Sequence, residues 1–270
     1  MSDNFHLSLG DSNVLIHAPH GGRVIPDLAY GSLMISPEEL KSELLAMTDS
    51  YTAMMARDIS LVAQYSNTGA KAAGLMLNRL SRLVVDPERF LDEREEMNAV
   101  GMGAVYTHGS KRQQIRADSP VITERLVERY FKPYALAMEE AVSELLDTKG
   151  SAFIVDLHSY PSEPLPYELH AEGDRPDICL GFDDYHISPE VVEVIKKELE
   201  SSGYRVGFNS PFAGTYVPLK FYGRDPRVSS LMLEIRRDTY MDELTGSLDL
   251  VKYNSLIQTL SKIIDFLNNM

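Results

Sequence analysis

The sequence predicts an α/β fold, a sheet covered by helices, in one domain over residues 1–270. Three observations carry that expectation. Short apolar runs are bounded by turn residues, as buried strands are. Amphipathic segments that open on helix-capping residues alternate with them. Polar residues collect at the ends of the apolar runs, where open α/β sheets put their ligand sites.

Val14–Ala18 reads as a buried strand ending in the tight Pro19-His20-Gly21-Gly22 loop. Ser36-Pro37-Glu38-Glu39 opens a helix, with serine as cap, proline in the first turn and acids at the positive end. Thr48-Asp49 caps a second, with Tyr51, Met54, Met55 and Ile59 on its apolar face. Gly74–Asn78 and residues 83–86 read as strand fragments, and residues 88–119, glycine-rich and without period, as a long functional loop. Residues 122–146 form two helical pieces around Pro133. Residues 152–157 (AFIVDL) are the strongest buried-strand signal, followed by a proline-rich loop over 161–176. Ile178–Gly181, 204–208 and 231–235 are further strands; helices start at Ser188-Pro189 and span 248–267.

Lys+Arg number 26 against 40 Asp+Glu, a formal charge of −14, which argues against nucleic-acid or anionic-membrane partners because both need clustered cations. An acidic small molecule remains open, since a local arginine cluster overrides the distant field. Cys179 is the one cysteine, so no intramolecular disulfide forms and a reducing compartment is expected. The N-terminus lacks a signal-peptide layout, and no run approaches the roughly 20 apolar residues of a membrane span. A cytoplasmic protein follows.

His20 ends one apolar run, Asp156 and His158 end another, and Glu234 sits inside a third. A charge within an apolar strand is costly unless paired or metal-bound. Two histidines distant in sequence, both at strand ends, plus a carboxylate, make a catalytic zinc set that leaves room for water. Glu234 is then the proton acceptor. Taken singly, His20 caps a turn and His158 satisfies itself in the core. Arg79, Arg82 and Arg89 crowd the NRLSRLVVDPERF stretch, suited to gripping carboxylates or an oxyanion, or else to surface salt bridges with Asp86 and Glu88. Gly101-Met102-Gly103 is too short for a dinucleotide loop, no GxSxG elbow occurs, and Cys179 reads as core. His6, His108, His170 and His186 default to the surface.

The collinear set PHGGRVIP, TDSYT, NRLSRLVVDPERF, DLHSY, DICLG, GYRVGFNSPFAGTYVP and LEIRRDTYM resembles the N-formylglutamate amidohydrolase family from His17 to about Met241. The resemblance implies a zinc-carboxypeptidase-like (phosphorylase/hydrolase-like) three-layer α/β/α sandwich with a mixed central sheet. It implies hydrolysis of N-formyl-L-glutamate to formate and glutamate, closing one route of histidine catabolism. It implies Zn2+, or another divalent transition metal, held by His20 and His158, with Glu234 as general base. Arg82 becomes the catalytic arginine, and Arg79, Arg89 and Tyr216 substrate-binding. Asp156 would orient a ligand histidine. Zinc carboxypeptidases have a glutamate ligand three residues after the first histidine; here Arg23 stands there. Asp49 therefore becomes the third ligand, with His17 the alternative. Two other readings stand beside this one: a zinc peptidase or deacylase of a larger glutamyl or N-acyl substrate, and a metal-free small-molecule binder on the same fold.

Overall fold

The structure is a computed structural model that describes residues 4–65 and 71–270; the start of the polar N-terminal stretch lies outside them. Seven strands form one sheet: β1 (Phe5–Ser8), β2 (Val14–Ala18), β3 (Gly74–Asn78), β4 (Ala152–Tyr160), β5 (Ile178–Gly181), β6 (Val206–Phe208) and β7 (Val228–Arg236). Their spatial order is β1-β3-β2-β4-β7-β5-β6. The central strands β3, β2, β4 and β7 run parallel, while β1 and β5 pair antiparallel to their inner neighbours, so the sheet is mixed.

Strand periodicity sorts the side chains of the central strands onto two faces. Val14, Ile16 and Ala18 of β2, Phe153, Val155 and Leu157 of β4, and Leu231, Leu233 and Ile235 of β7 pack under α3 (Thr52–Tyr65), α6 (Pro189–Ser201) and α7 (Leu250–Asn268). Leu15, Ala152, Ile154 and Val228 face α5 (Lys132–Lys149) on the other side. Helices thus cover both faces of the sheet. By the same alternation His17, Asp156, His158 and Glu234 all belong to the α5 face. Register then makes them neighbours: His17 pairs with Asp156, and His158 with Glu234.

The helix opened by Ser36 is Pro37–Met47, and its first turn is a capping box: Ser36 Oγ accepts from Glu39 N while the Glu39 carboxylate accepts from Ser36 N. Around Pro133 the chain keeps its helical course. A π-turn over Val127–Phe131 joins Pro120–Leu126 to α5 and leaves Pro133 in the first turn of α5, where its missing N–H costs little.

Two expectations need correction. Residues 83–86 form no strand; a tight turn closes there, Val84 N donating to Ser81 O at 2.9 Å. Val84 and Val85 are apolar because they pack in a separate cluster with Leu126, Tyr130 and Phe131, which their sequence cannot distinguish from a sheet core. Strand β1 lies in a polar-looking stretch not assigned to a strand; as an edge strand it is only half covered, so its apolar signal is weak. Among the described residues, no helix is long and apolar enough to cross a membrane.

Candidate metal centre

His20 stands two residues beyond β2 on a loop pinned from both sides. Asn78 Nδ2 donates to Pro19 O at 2.9 Å, and Val24 N donates to Arg79 O at 3.0 Å. The loop passes so close to the end of β3 that a Cβ on Gly22 would sit 2.4 Å from the Arg79 carbonyl carbon, so only glycine fits. Asp49 lies in the connection between Pro37–Met47 and α3, and its own N–H donates to His20 O at 3.0 Å. Its side chain does not cap α3, as the sequence suggested. The Asp49 carbonyl accepts from Thr52, which frees the carboxylate to accept from Ser159 N at 3.2 Å instead. The next residue but one, Tyr51, takes φ 71°, a left-handed conformation that a bulky residue holds only when its surroundings enforce it.

Three donor atoms converge here from distant parts of the chain. His20 Nδ1 and His158 Nδ1 are 3.1 Å apart, and Asp49 Oδ2 lies 3.2 Å from His158 Nδ1 and 3.7 Å from His20 Nδ1. Tetrahedral zinc with Zn–N of about 2.0–2.1 Å needs donor–donor edges of roughly 3.3–3.5 Å. All three residues are buried. Two imidazole nitrogens in contact inside a protein must share a proton or direct both lone pairs at one cation, so the donor set fits a divalent ion.

The far edges of both rings meet carboxylates. His20 Nε2 bonds Asp86 Oδ1 at 2.8 Å; His158 Nε2 lies 3.1 Å from Asp156 Oδ1 and 3.3 Å from Glu88 Oε1 but makes no hydrogen bond with either. Such carboxylate–histidine pairs fix the tautomer and ring orientation of a ligand. Glu88 offers a second candidate set, since donor atoms of His20, Glu88 and His158 also lie within 4.8 Å of one another, as do those of His17, Glu88 and Asp156. Glu88 Oε1, like His158 Nε2, makes no hydrogen bond among the described residues, which leaves the Glu88 set open, while three contacts occupy histidine nitrogens of the two sets. His20 Nε2 is already held by Asp86, and both ring nitrogens of His17 are taken, by Asp156 Oδ1 and Tyr134 OH at 2.8 Å each.

Electrostatics agree with a site built for positive charge. Burial and Arg82 oppose the charged form of His20, but Asp86, Glu88 and Asp49 outweigh them and raise its pKa. Burial likewise opposes charge on His158, and Glu88 and Asp156 push its pKa well up. Burial disfavours the Asp49 carboxylate, yet hydrogen bonds with His158 and His20 hold its pKa far below the usual range. Without metal, protons on the imidazoles meet a demand that a divalent cation would meet in their place. Glu234, across from His158, behaves differently: burial pushes it up to about 7, and its Oε2 has no hydrogen-bond partner among the described residues.

With this geometry in view, the chain's relatives can be named. The family model for N-formylglutamate amidohydrolase matches residues 12–241. The chain belongs to that family. Among solved structures, an N-formylglutamate amidohydrolase from Ralstonia eutropha JMP134 superposes with a TM-score of 0.80 at 23% identity, covering 99% of this chain and 98% of that one. A gene product of Agrobacterium tumefaciens superposes at 0.70 with 18% identity, covering 97% and 94%. At such identities the likeness extends to the fold alone. No curated protein matches by sequence. Family membership and the clustered donors together support metal-dependent amidohydrolase activity in general terms.

The amidohydrolase-family centre opens into a cavity of about 1100 Å³ lined by His20, Asp49, His158 and Glu234. Arg82, Arg89 and Tyr216 also line it. Arg79 does not: it is exposed, and its backbone pairs with the His20 loop and with Asn4, so its role is not in the cavity. The arginine–acid pairs expected at the surface are inside. Asp86 is fully buried and takes Arg82 Nη2 at 2.8 Å, Arg89 Nε at 3.3 Å and Tyr106 OH at 2.5 Å. Asp156 bonds His17 Nδ1 at 2.8 Å, lies 3.1 Å from His158 Nε2 and accepts Tyr216 N at 3.1 Å. Asp86, Glu88 and Arg237 were missed as site residues. Arg237 Nη2 lies 3.5 Å from Asp49 Oδ1, and its Nη1 donates to Ala46 O at 2.9 Å. Asp86 and Glu88 fall within VVDPERF, where an acid directly after two valines was the available signal. His186 is buried, its Nδ1 donating to Val228 O at 2.7 Å and its Nε2 accepting Gly223 N, so it is a structural histidine and not a surface one. Cys179 is core as expected, with burial raising its thiol to about 11.

Proposed function

We propose that the protein hydrolyses the amide bond of an N-acyl acidic amino acid, N-formyl-L-glutamate being the parent of the class, with a divalent cation held by His20, Asp49 and His158. A cation in that position lowers the pKa of water and polarises a carbonyl. Two nitrogens and one oxygen suit zinc, and accept cobalt or manganese as well. Glu234 takes the proton from the attacking water and returns it to the leaving amine; a carboxylate poised near neutrality can do both. Arg82, anchored by Asp86 and by its Nε bond to Tyr106 OH at 2.9 Å, presents a fixed positive charge beside the reacting carbonyl. Arg89 is a quarter exposed and takes the substrate carboxylate. Asp86 holds the outer ring nitrogen of His20, Asp156 and Glu88 lie beside that of His158, Arg237 steadies Asp49, and Tyr216 packs beside His17 at the wall. We take the chain as a single zinc-carboxypeptidase-like catalytic domain acting in the cytoplasm.

The observation that carries this reading is the meeting of His20 Nδ1, His158 Nδ1 and the Asp49 carboxylate in a cavity that also exposes Glu234. Elemental analysis of gently purified protein is expected to give one transition metal per chain. Glu234→Gln should keep that metal and lose on the order of 10²–10⁴ in kcat. His158→Ala should lose both metal and turnover. If His158→Ala retains both, the hydrolase reading fails.

A further inference from the structure

The centre fills little of its cavity. About 1100 Å³ exceeds the roughly 300–1,000 Å³ of pockets that enclose drug-sized ligands, whereas a formylated amino acid is far smaller. The remaining lining mixes charged side chains, Arg94, Lys132 and Glu139 among them, with exposed leucines. Leu91, Leu136, Leu169 and Leu219 all line the cavity, and their side chains are 38% to 55% exposed. They come from the loop after Asp86, from α5, from the loop after β4 and from the segment before β7. None belongs to a hydrophobic cluster of the core among the described residues. A lone exposed leucine needs no explanation, but four lining one cavity give it the exposed apolar surface that marks ligand sites. Phe131 lines the same cavity.

We infer that this wall receives a bulky apolar acyl group, so that the substrate class is N-acyl amino acids carrying a medium-chain or aromatic acyl chain. The inference rests on the amidohydrolase reading above. Of the cationic side chains that line the cavity, Arg82, Arg89, Arg94, Lys132 and Arg237, the first two are tied to Asp86 beside the metal centre, and the inference places the amino-acid half on that charged floor. The acyl half is then the part left to face the leucines. In the reaction the amide C–N bond breaks, the water oxygen goes to the acyl carbon, and the nitrogen gains the proton. A carboxylic acid and a free amino acid result, with no oxidant or further reactant. Full burial of a methylene favours binding by about fourfold, so even partial coverage of a long chain is measurable.

The test uses the metal-loaded full chain with N-formyl-, N-acetyl-, N-hexanoyl- and N-decanoyl-L-glutamate. The expected result is a rise in kcat/KM of at least about tenfold from formyl to decanoyl. In Leu136→Gln and Leu219→Gln, both mutated at exposed positions that the fold does not need, that ratio should drop by about tenfold. Calorimetry gives a readout without turnover: N-decanoyl-L-glutamate should bind the metal-free chain about tenfold more tightly than the formyl compound. Equal rates across the series, or fastest turnover of the formyl compound, would overturn the acyl-wall inference and leave the hydrolase reading intact. So would a rate that grows with the amine side, read with glutamyl peptides. No turnover of any member by protein that carries its metal would overturn the hydrolase reading itself.

Discussion

In the proposed reaction, Glu234 is the residue on which the chemistry turns. It accepts a proton only as a carboxylate, so activity depends on the fraction ionised. Burial sets its pKa at about 7 in the metal-free chain, and a nearby cation can only lower it. The acid limb of kcat/KM is therefore expected at or below about pH 7, falling about tenfold per unit on further acidification. A rate that rises on acidification below about pH 7 would exclude Glu234 as the base. The raised pKa also bears on stability. A carboxyl whose folded pKa exceeds its unfolded one stabilises the fold when protonated, so the metal-free protein loses that contribution as pH rises through about 7. At this scale the sequence was partly legible. An acid inside LMLEIRR and a histidine after AFIVDL are costly to bury, and that cost marked them. Asp86, Glu88 and Arg237 carried a weaker mark, because acids and arginines close together read as surface pairs until burial is known.

Among the elements, the loop from β2 is the one the centre depends on. Gly22 touches backbone, not a side chain that could swing aside. Gly22→Ala is thus expected to cost about 1–3 kcal/mol through forced backbone displacement. Because the displaced loop carries His20, metal affinity should fall with it. Thermal melting and metal titration of the variant check this; unchanged values for both would mean that the loop does not position His20. The motif PHGG announced a tight turn but not its cause, which is the end of β3, more than fifty residues away in sequence. The same limit applies to residues 83–86, where two valines signalled burial and nothing local said whether a sheet or a helix pair would bury them.

For the whole molecule, metal and fold are linked because the centre joins segments near residues 20, 49 and 158 that are remote along the chain. A ligand that binds only the native state adds about 2.7 kcal/mol at 100 times its Kd. Zinc at that excess should raise Tm, and a chelator should reverse the rise. Asp49→Asn is expected to remove most of the shift and Glu88→Gln to keep most of it. The opposite pattern would make Glu88 the carboxylate ligand and displace Asp49.

The sequence by itself determined most of the strands and helices, the family and the histidines worth watching. These follow from local quantities: apolar period, turn chemistry, and the cost of an ionisable group within an apolar run. Only the tertiary structure decided which carboxylates surround those histidines, that Arg79 lies outside the cavity lining, and that four leucines line one cavity. Those are facts of register and chain crossing. Pairing β2 with β4 and β4 with β7 is what brings His17 to Asp156 and His158 to Glu234, and no stretch of sequence contains both partners of the first pair.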